Sequence, residues 1–169
     1  MAGRLAQLLG VLSLNASDRI RSSVDASLGR TGAHAAALVH LDAYPGDSIQ
    51  ALADVLRVSQ PAAVKIVNRL AGDGLLERRP GPDQRTRALH LTAKGSAAAA
   101  RVLADRASQL DDVLGVLDRE ERQRLEPLLE KLVAALAGDR PSGLHVCRLC
   151  DRSSCCDAPD GCPLGHTAT

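Results

Sequence analysis

The chain has 169 residues, a length typical of one domain or of one domain with an appendage. Apolar residues make up 45% of it, but Phe and Trp are absent and Tyr44 is the single Tyr, which excludes a core built on aromatic side chains and favours a helical fold filled by Leu, Val, Ala and Ile. The net charge of +1 does not by itself indicate a nucleic-acid partner, and no run of 18 apolar residues predicts a membrane span.

The first 46 residues are predicted to form two helices. Apolar residues recur at helical spacing before Gly29 and Gly32, where the helix should stop: Leu5, Leu8, Leu9, Leu12, Ile20, Val24 and Leu28. A second helix should run from about Ala33 to Ala43 and end at the turn 44–46. The apolar stretch 5–14 has no signal-peptide cleavage site, so we expect a cytoplasmic protein.

Residues 47–95 are predicted to form a winged helix-turn-helix. Asp47 or Ser48 can cap a short helix that ends near Leu56, and Ser59 can cap the next one, with Pro61 tolerated in its first turn. Two short strands, 75–79 and 87–92, flank a turn-rich loop, an order that indicates a β-hairpin wing. The predicted fold class is therefore mainly α with a small β-hairpin.

After Gly95 the chain is predicted to return to helix, from about Ser96 to Ala137. Pro127 interrupts the pattern, so the last helix kinks there or begins later, at Asp118 or beyond. Leucines and a valine form a stripe on one face of this region: Leu125, Leu128, Leu129, Leu132, Val133 and Leu136. Residues 138–143 have the composition of a linker, and the segment 139–169 is too rich in Cys, Pro and Gly to form an apolar core of its own.

The region 48–95 has the chemistry of a DNA-binding surface. It holds eight Lys or Arg against four Asp or Glu, a net charge of +4 within a nearly neutral chain. On the second helix, Gln and Asn can pair with adenine, and Lys and Arg with guanine or phosphate. The candidate DNA-binding residues are Ser59, Gln60, Ala62, Lys65, Asn68, Arg69, Arg79, Asp83, Arg85 and Arg87.

Four segments in this order resemble the MarR family of bacterial regulators: SQPAAVKIVNRL at 59–70, GLLERR at 74–79, Asp83-Gln84-Arg85, and LTAKG at 91–95. The resemblance covers about residues 2–137 and is strongest between 52 and 95. It implies that Arg85 in the wing enters the minor groove and that Asp83 orients it. It also implies a homodimer in which the first and last helices intertwine, here 5–14 with the stripe 125–136.

The resemblance divides the chain by role. Residues 1–46 would be N-terminal dimerisation and scaffold helices, 47–95 the DNA-binding region, 96–138 C-terminal dimerisation helices, and 139–169 a cysteine-rich tail. It further implies a small, often aromatic effector bound between the dimer helices and the winged helix. The candidate pocket residues are Arg19, Arg21, His34 and His40, although residues of these types are more often solvated or hydrogen-bonded structural residues.

All five cysteines lie between Cys147 and Cys162, and in a reducing compartment such clustering favours metal or redox chemistry. We predict that the metal ligands are Cys147, Cys150, Cys155 and Cys162, with zinc as the first choice, His145 and His166 as reserve ligands, and Cys156 as an extra thiol. An iron–sulfur cluster, a metal-free thiol switch and a disordered tail with inert cysteines remain alternatives.

The function that these features predict is a dimeric repressor of a pseudo-palindromic operator, released by a small-molecule or redox signal. In an alternative within regulation, the cysteine tail itself senses metal, oxidant or nitric oxide. An adaptor that binds nucleic acid with little sequence preference is a third hypothesis. A thiol–disulfide or electron-transfer enzyme is disfavoured, because no thioredoxin-like βαβ pattern accompanies Cys147 and Cys150 and no nucleophile–base pair is apparent.

Overall fold

A computed structural model describes residues 3–29, 32–81, 87–136, 140–156 and 161–164. The order of elements within them is α1 (Arg4–Leu28), α2 (Gly32–Ala43), α3 (Ile49–Leu56), α4 (Gln60–Gly72), β1 (Leu76–Pro80), β2 (Arg87–Leu91), α5 (Ala93–Leu114), α6 (Arg119–Ala134), α7 (Arg140–Val146) and α8 (Arg152–Cys156). This is the mainly α fold with a small β-hairpin that the sequence predicts. Every helix in the described part of the chain is too short or too polar to cross a membrane.

The first two helices begin and end close to the predicted positions. Gly29 follows α1 in the left-handed conformation, with φ 60°, and its N–H bonds to the Asp25 carbonyl. Glycine adopts this conformation without the steric cost that a Cβ would bring, which is why the pattern of α1 stops there. In contrast to α1, whose first residues are exposed, α2 is buried along most of its length.

Helices α3 and α4 form the helix-turn-helix. Ser48 caps α3, and its hydroxyl accepts a hydrogen bond from the Ala51 N–H at 3.1 Å. Ser59 occupies the N-cap position of α4, as predicted, but its side chain makes no cap hydrogen bond. Between them Arg57 takes a left-handed conformation with φ 52°, the one described residue other than glycine with a positive φ.

The two strands form an antiparallel hairpin in which Leu76 faces Leu91 and Pro80 faces Arg87. The free edge of β2 also bonds to the loop before α3, because the Gly46 N–H donates to the Leu89 carbonyl at 2.8 Å. The Leu89 N–H in turn donates to the Asp47 carbonyl at 3.0 Å. These bonds fix the second strand of the hairpin to the loop that precedes the helix-turn-helix.

The long C-terminal helix expected from about Ser96 to Ala137 is two helices in the structure. A break at 115–118 separates α5 from α6, and Asp118 and Glu121 form a capping box that starts α6. Asp118 is thus the start that the sequence offered as an alternative. Pro127 lies inside α6, and no residue of that helix is buried.

The expectation of a linker at 138–143 is wrong from Arg140 onwards, because α7 begins at that residue. The Cys147 N–H donates to the Gly143 carbonyl at 3.0 Å, so the chain winds helically from α7 into the first cysteine. Proline is tolerated in the first turn of a helix, where its missing N–H has no intrahelical partner, so Pro141 does not oppose this helix.

The core lies where α2, the helix-turn-helix, the hairpin and α5 meet. Its fully buried large side chains are Leu38, Leu41, Leu52, Leu70, Leu89, Val24, Val67 and Val102. A satellite cluster at α1, α2 and α5 contains Val24, Ala35, Val39 and Val102. Leu149, from the C-terminal segment, packs against both clusters. The cysteine-rich segment is therefore joined to the domain core, which the sequence did not indicate.

Candidate DNA-binding interface and cysteine cluster

Helix α4 has one buried face and one exposed polar face. Ala63, Ile66, Val67 and Leu70 are buried against the core. On the other face, Ser59, Gln60, Lys65, Asn68 and Arg69 are exposed and Ala62 is half-buried. The helix therefore presents the predicted DNA-binding side chains together on one surface.

Some of these side chains are already engaged. An Arg78 Nη2 donates a hydrogen bond to Asn68 Oδ1, which ties α4 to the first strand of the wing. Arg69 forms an ion pair with Asp73 at 3.8 Å. Gln60 and Lys65, in contrast, make no side-chain hydrogen bond or ion pair with the described residues, so both are available to a ligand.

The strands of the wing add cations to this surface. Arg79 is exposed, and its Nε donates to Glu77 Oε1 at 2.8 Å. Arg87 is exposed at the start of β2, opposite Pro80. Asp83 and Arg85, the predicted minor-groove pair, lie outside the described residues.

The candidate effector residues lie apart from one another. Arg19 is exposed on α1 and donates to Asn15 Oδ1 at 3.0 Å. His34 lines an open cavity beside α5. His40 is only 3% exposed, and its Nε2 lies 2.8 Å from Asp47 Oδ2. The structure therefore does not assemble these three side chains into one pocket.

An open cavity of about 930 Å³ lies between α1, α2, α5 and the C-terminal segment. Arg21 and Val24 line it from α1, Arg106 from α5, and Cys147 and Cys150 from the C-terminal segment. Its volume is within the range of small-molecule sites, about 300–1,000 Å³. It adjoins both the core and the cysteines.

The five cysteines lie near one another. Cys147, Cys150, Cys155 and Cys162 line one open cavity, and Cys156 lines a second one together with Cys147, Cys150 and Cys162. All five are free, half-buried thiols. We call Cys147, Cys150, Cys155 and Cys162 the thiol cluster.

The thiol cluster is not arranged as a metal site. Among the described residues, no group of three or more His, Cys, Asp or Glu side chains is arranged to hold a metal ion. Ligation of one ion would therefore need the thiols to turn inwards by changes of side-chain rotamer. The reserve ligand His145 lies near the cluster, while His166 lies outside the described residues.

The pKa values of the thiols are shifted in different directions. The bond from Cys150 holds the pKa of Cys147 below its ordinary value, and the same bond raises the pKa of Cys150 far above its usual range. Burial is the main cause that raises the pKa of Cys155 to about 11. Burial also raises the pKa of Cys156, which its bond to Arg152 partly opposes. Cys147 is thus a thiol whose pKa is lowered, in contrast to Cys150, Cys155 and Cys156.

The C-terminal segment docks on the helix-turn-helix. His145 Nδ1 lies 2.8 Å from the Val55 carbonyl at the end of α3 and must carry the proton of that hydrogen bond. Burial lowers the pKa of His145, which favours the neutral ring. An Arg57 Nη2 also donates to Ser142 Oγ at 3.4 Å. Two contacts therefore join α7 to the turn between α3 and α4.

A further contact joins α8 to α2. The Arg152 guanidinium lies 4.7 Å from the centre of the Tyr44 ring, a cation–π arrangement. Tyr44 also stacks on His40, with ring centres 4.9 Å apart. Because His40 is bonded to Asp47 just before α3, this stack also leads to the helix-turn-helix.

Comparison with known proteins places the winged helix in a family. The family model described as MarR family matches residues 28–86. The HTH-type transcriptional regulator BilQ of Clostridium symbiosum is 33% identical over 96 residues, which cover 56% of this chain and 67% of that protein. The chain belongs to the MarR family. Its winged helix is a transcriptional-regulator module of the MarR type.

Two other similarities support this membership. A proposed transcriptional regulatory protein for the hcr operon of Thauera aromatica is 38% identical over 89 residues, 52% of this chain. The match spans 54% of that protein, about half its length. The crystal structure of the YusO protein of Bacillus subtilis has the same fold, with a TM-score of 0.67, 24% identity, and coverage of 78% of this chain and 93% of that one.

Sequence reasoning missed three parts of the site. It did not identify Arg78 as the partner of Asn68, the docking of α7 on α3, or the packing of Leu149 in the core. For the docking, one signal was present in the sequence, since Leu144, Val146 and Leu149 are aliphatic residues inside a segment that is otherwise rich in Cys, Pro, Gly and charged residues. Arg78 carried no signal that distinguished it from its neighbour Arg79.

Proposed function

We propose that this MarR-family chain is a dimeric transcriptional repressor that binds a pseudo-palindromic operator through α4 and the wing. The observation that carries the proposal is the exposed polar face of α4, which the core holds rigidly from behind. A helix with such a face fits the major groove of B-DNA and can contact base edges there.

Within this proposal the side chains have different tasks. Gln60 and Asn68 pair with adenine, while Lys65 and Arg69 contact guanine or phosphate. The wing follows the adjacent backbone with its strand arginines, and Arg85 enters the minor groove. Because Asn68 is bonded to Arg78, that bond has to open, or Arg78 has to move with it, when a base is read.

The partner that completes the repressor is a second copy of the chain. Large apolar side chains are exposed on the first half of α1, along α6 and just after its end: Leu5, Leu8, Leu9, Val11, Leu12, Leu14, Leu128, Leu129, Leu132 and Leu136. An exposed apolar surface on two helices is typical of an interface. A twofold dimer would present two α4 helices to successive major grooves.

The signal enters next to this interface. We assign a small, largely apolar effector to the 930 Å³ cavity, which is lined by α1, α2 and α5. Binding there would change the spacing of the two α4 helices and lower the affinity for the operator. A second candidate is that the cysteine segment is the sensor, a role favoured by the presence of Cys147, Cys150, Cys155 and Cys162 in the lining of the same cavity.

The test begins with selection of duplexes from a random DNA pool and measurement of Kd at one fixed salt concentration. We expect an inverted repeat with half-site centres about 10 base pairs apart. Lys65→Ala should weaken binding to the selected duplex by about 1–3 kcal/mol, because this exposed lysine is unpaired in the described structure.

Lys131→Ala is the matched control, since it removes the same charge from the exposed surface of α6. It should leave the affinity unchanged. Selection that enriches no sequence would contradict the repressor and favour an adaptor with little preference among DNAs. Equal losses in the two variants would show that charge alone, rather than the position of Lys65 on α4, determines binding.

A further inference from the structure

The C-terminal segment 140–156 contacts the domain at several points, and we call it the brace. Leu149 packs against both clusters of the core. Leu144 lines a small cavity together with Tyr44, and the Arg152 guanidinium lies 4.7 Å from the centre of the Tyr44 ring. These contacts would all be lost if the segment moved away. The brace is therefore packed as part of the domain rather than appended to it.

The brace reaches the helix-turn-helix at the end of α3. The last carbonyls of a helix have no partner within the helix, so other groups must satisfy them. Backbone N–H groups of the turn 57–58 donate to the carbonyls of Asp54 and Ala53, at 3.2 and 3.1 Å. The next carbonyl, that of Val55, lies 2.8 Å from His145 Nδ1. His145 thus caps the carbonyl that follows the two capped by the turn.

The ring of His145 is held in this orientation from within the brace. A proton on Nδ1 leaves Nε2 as an acceptor in the neutral ring. The Arg148 Nη1 lies 3.4 Å from that Nε2 and also donates to the His145 carbonyl at 2.7 Å. Arg148 therefore stabilises the ring position in which Nδ1 points at α3.

The brace also reaches the turn between α3 and α4. Arg57 lies in this turn with a positive φ of 52°, and its Nη2 donates to Ser142 Oγ at 3.4 Å. Helix α4 begins at Gln60, shortly after this residue. A shift of 55–57 would therefore also shift the start of α4.

The brace leaves the DNA-binding face of α4 open. Gln60, Lys65 and Asn68 are exposed although the segment is docked. The contacts of the brace lie instead at the end of α3, at the turn and in the core. A segment that covered the face of α4 would oppose DNA binding, whereas this one supports the helix from elsewhere. The docked state is thus compatible with bound DNA.

We infer that His145 is a positioning residue for operator binding, because its bond to the Val55 carbonyl fixes the end of α3 and thereby the place of α4 in the major groove. Leu149 anchors the segment that carries His145. Loss of this support should loosen α3 and leave the cations of α4 and the wing in place. Base contacts need a defined placement of α4 and phosphate contacts carry no sequence information, so sequence-selective binding should suffer most.

The effect on the operator rests on the proposed function, but the effect on α3 can be measured without DNA. The variants are His145→Leu, which removes the donor, and His145→Asn, whose amide places an N–H donor near the position of Nδ1. Loss of the bond should speed amide exchange in 49–57 by about three- to ten-fold in His145→Leu. Exchange should stay close to the wild-type rate in His145→Asn. Exchange in α5 near Val102 serves as the reference and should change little.

A second pair of variants tests the anchor. Leu149→Glu places a carboxylate against the core and should displace the brace, so exchange in 49–57 should rise at least as much as in His145→Leu. Val146→Glu adds the same charge to the same segment at an exposed position and should leave exchange unchanged. Wild-type exchange in 49–57 in His145→Leu would overturn the positioning role. So would an asparagine variant that exchanges as fast as the leucine variant.

The effect on DNA is measured as Kd for the selected operator and for a random duplex of equal length, at one salt concentration. His145→Leu should weaken operator binding by about three- to ten-fold and leave binding of the random duplex unchanged. Equal losses on the two duplexes would refute the positioning role, since a smaller folded fraction weakens both alike. Tighter operator binding by Leu149→Glu would refute it too, because the brace would then be an inhibitor. If selection enriches no sequence, the repressor fails, while exchange in 49–57 still decides whether His145 holds α3.

Discussion

At the scale of single residues, Arg57 has the most unusual backbone. It joins α3 to α4 with φ 52°, a conformation that costs an L-residue about 1–2 kcal/mol relative to glycine. Its N–H bonds to the Asp54 carbonyl at 3.2 Å, so the tight turn requires this geometry. The spacing of α3 and α4 therefore depends on a strained residue whose side chain also reaches α7.

We predict that Arg57→Gly is more stable than Arg57→Ala by about 1 kcal/mol. Both variants lose the guanidinium and its bond to Ser142, so their difference isolates the backbone term. Urea unfolding followed by circular dichroism gives the two free energies of unfolding. Equal stability, or a more stable alanine variant, would show that the turn relaxes away from the left-handed conformation.

The residue scale also shows where sequence reasoning succeeds. The sequence offers Asp47 or Ser48 as the cap of α3, because either side chain can accept from an N–H at the start of a helix, and the bond of Ser48 to the Ala51 N–H shows that Ser48 is the cap. The conformation of Arg57 could not be predicted, since arginine has no preference for a positive φ. It follows from the tertiary requirement that α3 and α4 pack closely.

At the scale of elements, the start of α5 packs against the backbone of Leu75, the residue just before β1. A Cβ on Gly95 would lie 2.0 Å from the Leu75 carbonyl oxygen, a backbone atom that cannot move independently. The Thr92 N–H donates to that same carbonyl at 3.1 Å. Gly95 is thus the point where α5 touches the base of the hairpin, and this close approach fixes the position of the hairpin against α5.

Gly95→Ala should destabilise the protein by about 3 kcal/mol, because either α5 or the chain at Leu75 has to shift. Gly72→Ala is the matched control, since nothing lies within 4 Å of a Cβ at that position at the end of α4. That control should be neutral or stabilise by up to about 1 kcal/mol through helix propensity. Calorimetric melting of both variants measures the difference, and similar melting temperatures would contradict the close approach.

The elements that periodicity predicted are those whose apolar faces pack on the core. Helices α1 to α4 and the two strands were predicted from such patterns, and their bounds in the structure differ by few residues. Helix α7 was missed because Gly143 and Pro141 have the composition of a linker. Its conformation depends on tertiary contacts such as that of His145 with Val55, which no local pattern encodes.

The convergence of the thiols has the same origin. The spacing of Cys147 and Cys150 suggested a pair, but the arrival of Cys162 beside Cys155 depends on how the segment folds back. The candidate effector residues have a different basis. His34 and His40 were selected by residue type alone, and they lie in separate surroundings.

At the scale of the whole molecule, α6 has no buried residue in a single chain, although it carries an apolar stripe. Leu128 is 59% exposed and Leu132 is 53% exposed, while Leu8 on α1 is 54% exposed. Burial of one leucine side chain contributes about 1.5–3 kcal/mol, so several such residues can hold a stable dimer. A monomer would leave all of them in water.

Leu132→Glu should therefore convert the proposed dimer into monomers, because a carboxylate within an apolar interface loses its hydration without gaining a partner. Gln123→Glu adds the same charge at an exposed polar position of the same helix and should leave the dimer intact. Sedimentation velocity at micromolar protein measures the mass of both. The monomer should also bind the selected operator far more weakly, since each α4 would engage its half-site alone. A Leu132→Glu protein that stays dimeric would show that the interface lies elsewhere. In that case α6 would not determine the spacing of the two recognition helices.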